Sequence, residues 1–385
     1  MSVSPEIKSM IARLVAFDST SRNSNLALID YLREYLAALG AECRLTYDDD
    51  ERKANLYATL GPTDRPGVML SGHTDVVPVD GQIWTSDPFT LSERGGKLYG
   101  RGAADMKSFL AIALTLAPQF KARGLHTPLH FAFSYDEELG CLGVRRLIAD
   151  FANLPIKPRL CIVGEPTGMK IVAGHKGKRG FLCQVHGHEC HSALAQGVNA
   201  VEAAAEMIAH IKAMQRRIRA EGPFDAAYEP PYTTLHTGLI EGGSALNIVP
   251  RHCRFEFEIR SLPQHDVELL TREITDYAKR ELEPEMKAVA AECGFDFTVT
   301  TDTDGFDLPA DDEAVKLVTA LTGDNRTGRV SFGTEAGLFN RAGIPTVVCG
   351  PGLIEQAHKP DEFIALDQVA QGELFMRRLM AQLCH

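Results

Sequence analysis

The sequence predicts an α/β domain, a mixed sheet flanked by helices, interrupted by an inserted α+β domain of βαββαβ order. Three observations predict it. Short β-rich runs alternate with helical periodicities up to about residue 178, as expected when helices cover both faces of a sheet. The order then changes to strand, helix, strand, strand, helix, strand, which is a unit of the split-βαβ type. From about residue 312 helix and strand alternate again. A chain of 385 residues has room for two domains, or for one that carries another. The expected borders are 1–178 with 302–385 for the first domain and 179–301 for the insert.

Residues 4–17 read as a helix: Ser4 can cap it, Pro5 fits its first turn, and Ile7, Met10, Ile11, Leu14 and Val15 recur at helical spacing. A second helix spans 25–39 and stops at Gly40. Strands follow at 42–47, 54–60 and 67–70, then a long helix at 107–123, a strand at 129–135, a helix at 142–151 and a strand at 159–163. In the insert, strands are expected at 181–186, 234–240, 252–260 and 295–301, with helices at 197–220 and 267–282. A strand at 344–349 and a C-terminal helix close the chain.

Composition excludes several classes. A formal net charge of −11 repels phosphate backbones, so nucleic acid is not expected as a partner. No run of eighteen apolar residues suggests a membrane span. The first eleven residues lack the charged start, apolar run and cleavage site of a signal peptide, so the expected location is the cytoplasm. Nine cysteines stand singly, without a Cys-x-x-Cys pair, and read as reduced thiols. No phosphate-binding Gly-x-x-x-x-Gly-Lys-Ser/Thr loop follows a strand, which argues against a nucleotide-binding α/β protein.

Five segments bring metal-type donors to the ends of strands or to turns, where an open α/β sheet places its active site. In Ser71-Gly72-His73-Thr74-Asp75, His73 is a candidate ligand and Asp75 can accept from its other ring nitrogen. Gly100-Arg101-Gly102-Ala103-Ala104-Asp105 ends on a carboxylate that could bind a metal or cap the helix after it. In Asp136-Glu137-Glu138 neighbouring side chains serve one site only if the chain has left the strand, and Gly140 is consistent with a turn. Glu165 follows Val163-Gly164, and His358 lies in Gln356-Ala357-His358-Lys359-Pro360-Asp361-Glu362. Nitrogen and oxygen donors without thiolate suit zinc, cobalt or manganese. An odd set of five ligands suits two divalent ions that share one bridging carboxylate.

These segments, in this order, resemble the dinuclear zinc aminoacylase and carboxypeptidase superfamily, and the likeness covers nearly the whole chain. It implies that the α/β domain is catalytic, with His73 and Glu165 on one metal, Glu138 and His358 on the other, and Asp105 between them. Zn(2+) is the metal it implies first, with Co(2+) as an alternative. It implies that Glu137 is the general base for a water between the ions, that Asp75 orients His73, and that the peptide Asp105-Met106 is cis. The insert would be a lid and homodimerisation domain, with His191 reaching the other subunit's site to stabilise an oxyanion. Asn247, in the turn 242–250, would contact the substrate, and the planar fork of Arg260 would hold its α-carboxylate. Gly352, in Gly350-Pro351-Gly352, could offer its N–H to the same carboxylate.

Within that superfamily, Trp84-Thr85-Ser86-Asp87-Pro88-Phe89, His175-Lys176-Gly177, Gly333-Thr334-Glu335-Ala336 and the segment 356–362 are similar to the acetylornithine deacetylases. That likeness implies hydrolysis of N2-acetyl-L-ornithine, a small N-acyl amino acid, in arginine biosynthesis. Succinyl-diaminopimelate desuccinylation and broad N-acylamino-acid hydrolysis are the rival reactions. Where desuccinylases carry a Thr-Ser-Asp-Gly type of segment this chain has Gly333-Thr334-Glu335-Ala336, so Glu335 is expected to receive the substrate's terminal ammonium. A non-catalytic binding protein on the same fold would have lost a ligand or the base, and all are present.

Overall fold

In the computed structural model, which describes residues 3–384, the chain divides into two compact units. One comprises Met1–Gly174, Phe306–Arg329 and Thr334–His385, the other His175–Gly305 and Val330–Gly333. The second unit thus starts earlier and ends later than the expected insert, and regains four residues at 330–333 that the sequence pattern did not reveal.

The first unit is built on a nine-stranded mixed sheet. Its strands are β1 (Glu42–Tyr47), β2 (Ala54–Leu60), β3 (Val68–His73), β6 (Leu129–Ser134), β7 (Leu160–Pro166), β8 (Ile171–His175), β13 (Phe306–Asp307), β14 (Thr327–Val330) and β15 (Thr346–Gly350). The order is β1-β2-β6-β3-β7-β15-β8-β13, with β14 also on β8. The central strands β6, β3, β7 and β15 run parallel, so their carboxyl ends share one edge. Antiparallel β1 and β2 extend one side and β8 the other. The central strands are buried along their length, which is why they read as continuous apolar runs rather than alternating ones.

Helices cover this sheet. In α1 (Pro5–Val15) the Ser4 hydroxyl caps by accepting the Ile7 N–H at 3.3 Å, and Ile7, Ile11, Leu14 and Val15 are buried. Helix α2 (Leu26–Ala38) ends at Gly40, whose φ of 82° suits glycine. Asn25 does not cap it; its amide exchanges two bonds with Ala54 and donates to Thr74 Oγ1. Helix α3 (Lys107–Arg123) is buried from Lys107 to Leu114 and again at Leu116, Ala117 and Phe120, and it packs against the sheet and helices α1 and α10 (Leu366–Leu383). Pro118 inside it cannot donate to Leu114 O, and the Tyr35 hydroxyl does so instead at 3.2 Å. Helices α4 (Leu142–Asp150), α8 (Glu313–Thr322) and α9 (Ala336–Arg341) complete the layer. A separate small sheet, β16-β5-β4, joins β4 (Ser92–Arg94), β5 (Lys97–Tyr99) and β16 (Phe363–Ala365). Its hairpin turns on Gly95 and Gly96, both at positive φ, as a two-residue loop requires.

The second unit follows the βαββαβ order: β9 (Gly177–His186), α5 (Ala200–Glu221), β10 (Thr234–Gly242), β11 (His252–Ser261), α6 (Val267–Tyr277), α7 (Glu283–Val289) and β12 (Gly294–Thr303). Its antiparallel sheet has the order β10-β11-β9-β12. Alternation along β11 sends Cys253, Phe255, Phe257 and Ile259 into a core with Met207, Ile211 and Met214 of α5, and leaves Arg254, Glu256, Glu258 and Arg260 on the other face. The helix expected at 267–282 runs on to Val289, passing through a π turn at Ala278–Leu282. Pro284 sits in the first turn of α7 and has no N–H to continue the ladder. All nine cysteines are free and seven of them are buried. No helix among the described residues is long and apolar enough to cross a membrane.

Candidate metal centre

Parallel pairing delivers the donors. β3 runs three residues beyond the expected 67–70, pairing His73 with Ser134 of β6, so His73 is the strand's last residue rather than a loop residue. β7 runs on to Pro166 and carries Glu165 beside β15, where Gly350 pairs with Pro166. Gly350 makes this approach possible, because a Cβ there would fall 2.0 Å from the Gly164 carbonyl oxygen, and Gly164 lets the Phe109 ring of α3 pack on the same strand. β6 ends at Ser134, and Asp136, at a φ of 52°, turns the chain off the strand. Glu137 and Glu138 therefore leave the strand's alternation, and the third acid, Asp136, is neutralised by Lys53 at 2.6 Å.

The five expected ligands gather. His73 Nε2 lies 3.0 Å from Asp105 Oδ1 and 3.8 Å from Glu165 Oε1. His358 Nε2 lies 3.4 Å from Asp105 Oδ2 and 3.0 Å from Glu138 Oε2. Each oxygen of Asp105 thus faces a different imidazole. Donor atoms of His73, Asp105 and Glu138, and of His73, Glu137 and Glu165, fall within 4.8 Å of one another. Asp105 does not cap α3; Met106 holds the cap position, and the bond Asp105-Met106 is cis.

Three elements around the ligands differ from the sequence reading. The His73 Nδ1 partner is the backbone carbonyl of Asp75, at 2.9 Å, while the Asp75 carboxylate stands 3.6 Å away. That carboxylate accepts instead from the N–H groups of Glu137 and Glu138, at 3.1 and 3.3 Å, and from Ser21 Oγ at 2.8 Å. Glu335 is 1% exposed, and its oxygens accept from Ser134 Oγ and, at 3.4 Å, Ser71 Oγ. It braces the ends of β3 and β6 from within the core, so the expected contact with a substrate ammonium is corrected. Gly352 donates its N–H to Gln368 Oε1 at 3.2 Å, and Gly350 donates to Thr167 Oγ1. In this structure both amides are engaged by side chains rather than presented to a substrate carboxylate.

Residues without an expected role hold the bridging loop. Glu362, 1% exposed, pairs with Arg101 at 2.7 Å and accepts the N–H groups of Gly102, Ala104 and Asp105 at 2.8–3.1 Å. Arg101 also donates to Gln82 Oε1 at 2.7 Å, and Gln82 Nε2 donates to the carbonyl of His358 at 3.0 Å. The Gly95-Gly96 hairpin marks β4 and β5 in the sequence, but no local signal joins it to β16 and Glu362.

The electrostatics demand positive charge. Burial and the Asp105 charge push Glu138 and Glu165 up, Glu165 strongly. Burial pushes Glu137 well up, with Glu138 and Glu335 adding to it, and raises Glu335 to about 7. Bonds to Asp105 and Glu138 raise His358 to about 10. Burial alone would lower His73, yet the bond to Asp105 and the Glu165 charge lift it well above the ordinary histidine value. So many buried carboxylates repel one another unless cations sit among them. The donor set and its convergence fit a pair of divalent ions.

The remaining expected residues lie in the second unit. His191 and Asn247 are exposed and belong to adjoining loops: His191 bridges Ile248, and Ser192 N donates to Asn247 O. Arg260 is elsewhere. Register pairs Cys253 with Gly242 beside those loops and Arg260 with Thr234 at the other end. Seven residues of strand separate the two ends by roughly 24 Å. The Arg260 guanidinium is held by Glu258 Oε1 at 2.9 Å.

Residues 69–382 match the family described as Peptidase family M20/M25/M40. An acetylornithine deacetylase of Proteus mirabilis (strain HI4320) is 35% identical over 96% of this chain and 93% of its own length. One of Myxococcus xanthus is 35% identical over 99% and 98%. Among solved structures, the M20 family metallo-carboxypeptidase Sso-CP2 of Sulfolobus solfataricus has a TM-score of 0.75 at 18% identity, covering 98% of this chain and 99% of that one. Aminopeptidase PepT of Bacillus cereus ATCC 10987 has a TM-score of 0.74 at 21% identity, covering 98% of both. The Bacillus subtilis YXEP protein, described as a dinuclear metal binding peptidase, has a TM-score of 0.64 at 15% identity, covering 97% of this chain and 98% of that one.

Proposed function

The chain belongs to peptidase family M20/M25/M40 and is an amide hydrolase, and from that premise we propose that it hydrolyses N2-acetyl-L-ornithine to L-ornithine and acetate. His73, Asp105, Glu138, Glu165 and His358 would hold two divalent cations, zinc foremost and cobalt as a substitute. The observation that carries this reading is Asp105, whose two oxygens each face one imidazole, as a carboxylate shared between two ions must. The ions would polarise the amide carbonyl and lower the pKa of a nearby water from 15.7 to roughly 7.

Glu137 acts as the general base. It takes a proton from the attacking water as the C–O bond forms, then passes it to the amine nitrogen as the C–N bond breaks. Asp75 holds the backbone N–H groups of Glu137 and Glu138, so base and ligand are set by one carboxylate. Arg260 would turn from Glu258 to grip the α-carboxylate, with Asn247 contacting the substrate and His191 stabilising the oxyanion. A span of roughly 24 Å prevents one copy from bringing Arg260 and His191 to one small substrate. Both can serve a single site only if they come from two copies, which supports a homodimer formed through the second unit.

The test is a deacylation panel of acetylornithine, succinyl-diaminopimelate and acetylmethionine, run with zinc and with cobalt. Acetylornithine should show the highest kcat/KM with either metal. A preference for the succinyl substrate would overturn the assignment.

A further inference from the structure

The base carboxylate has a neighbour that the mechanism above does not use. Cys141 Sγ donates to Glu137 Oε1 at 3.4 Å, an ordinary distance for a thiol donor. The turn between them is tight: Gly140 N and Cys141 N both donate to Glu137 O at 2.8 Å, and α4 begins immediately after. Cys141 is buried, 3% exposed, but stands apart from the main cluster of packed apolar side chains in this unit.

Its backbone adds an independent observation. Cys141 has a φ of 56°, in the left-handed region where glycine is at no disadvantage and a side chain is. Gly140 already stands beside it at a φ of 100°. Glycine would suit this backbone conformation better than cysteine does. Strain retained beside a reactive group points to what the side chain does.

We propose that Cys141 is a positioning residue: its S–H occupies Glu137 Oε1 and fixes the carboxylate's rotamer, leaving the second oxygen to move the proton. This rests on the reading of Glu137 as general base. Burial, with the charges of Glu137 and Glu335, keeps the thiol well above its ordinary range. The raised thiol suits the role of a neutral donor to the carboxylate.

Three variants, Cys141→Gly, Cys141→Ala and Cys141→Ser, separate this role from packing, with kcat, KM, metal content and Tm measured for each. Removing a donor to a charged acceptor should lower kcat about tenfold or more in the Gly and Ala variants, at unchanged KM and metal content. Cys141→Gly should melt no lower than the parent, because its backbone suits the turn. Cys141→Ser keeps a donor and should recover to within about threefold of parental kcat. The inference is overturned if Cys141→Gly keeps parental kcat, if Cys141→Ser is as slow as Cys141→Ala, or if kcat falls only in step with Tm or metal content. Glu137→Gln, run alongside, keeps the two failures apart. If it retains turnover, the base assignment falls and takes the role of Cys141 with it. If it is inactive while Cys141→Gly is unimpaired, only the role of Cys141 falls.

Discussion

His73 and His358 offer the same ring nitrogen to the same carboxylate but are held by opposite means. His73 is the last residue of a central strand, its side chain 1% exposed and its ring pinned by the Asp75 carbonyl. His358 lies between a short 3-10 turn and β16, its side chain 53% exposed and its φ at 62°. The sheet fixes the first half of the centre, and a relay of side chains fixes the second. Glu362 sets the loop of Asp105, Arg101 joins Glu362 to Gln82, and Gln82 holds the backbone of His358. Asp105 is the member that both halves share.

The largest effect should follow from removing that shared member. Asp105→Ala takes away the carboxylate that faces both imidazoles, so both halves should fail together. Purified protein should carry neither ion, and turnover should fall by at least about a thousandfold. Retention of one full equivalent of metal would show that the two halves are independent and that Asp105 does not bridge them.

Much of the buried half was legible in the sequence, because strand ends impose their own order. The apolar runs before His73, Glu137 and Glu165 marked the strands, and parallel pairing then forced their ends together. What escaped was set by tertiary contacts. The pattern shows β3 only to Leu70, because Ser71, Gly72 and His73 are polar or small although β6 pairs with them. The segment Gly333-Thr334-Glu335-Ala336 suggests a substrate contact for Glu335, and only the fold places it beneath Ser71 and Ser134. The open half depended on Glu362, Arg101 and Gln82, which lie far apart in sequence and meet through side-chain bonds to Arg101. No spacing rule connects them.

Metal removal should show which half governs stability, through its dependence on pH. Without cations, Glu335 is raised to about 7, and Glu137, Glu138 and Glu165 are also raised above the usual 4.5. An acid raised in the folded state holds a proton that the unfolded chain has lost, so its contribution disappears as pH rises through the folded value. His358, raised from 6.5 to about 10, loses its contribution in the same direction but at higher pH. Asp105 is lowered, and its window lies below 3.8. Metal binding runs the other way, because the ligands must be deprotonated. The Tm gap between metal-loaded and chelated protein should therefore widen between about pH 5.5 and 7.5, driven mainly by the buried acids. A gap that stays constant over that range would mean that the acids near His73 are not compressed as the geometry indicates.

The smallest effect should come from the end of the relay. Gln82 is partly exposed and lies outside regular secondary structure, so Gln82→Ala should leave Tm nearly unchanged. It removes the donor to the His358 carbonyl and strands one N–H of Arg101. His358 would then have to keep its left-handed backbone without that support, and its imidazole would face Asp105 and Glu138 for less of the time. Loss of an outer partner of this kind weakens metal affinity by about 10- to 100-fold. The loss should fall on one equivalent only, because His73 is held by β3 and the Asp75 carbonyl, which Gln82 does not touch. Titration of the chelated protein with zinc, followed by calorimetry, reads this directly as one weakened and one unchanged binding event. Equal weakening of both events would place Gln82 upstream of Asp105, acting through Arg101 and Glu362 on the bridge itself, and the centre would then be one rigid body rather than a fixed half and a tethered half.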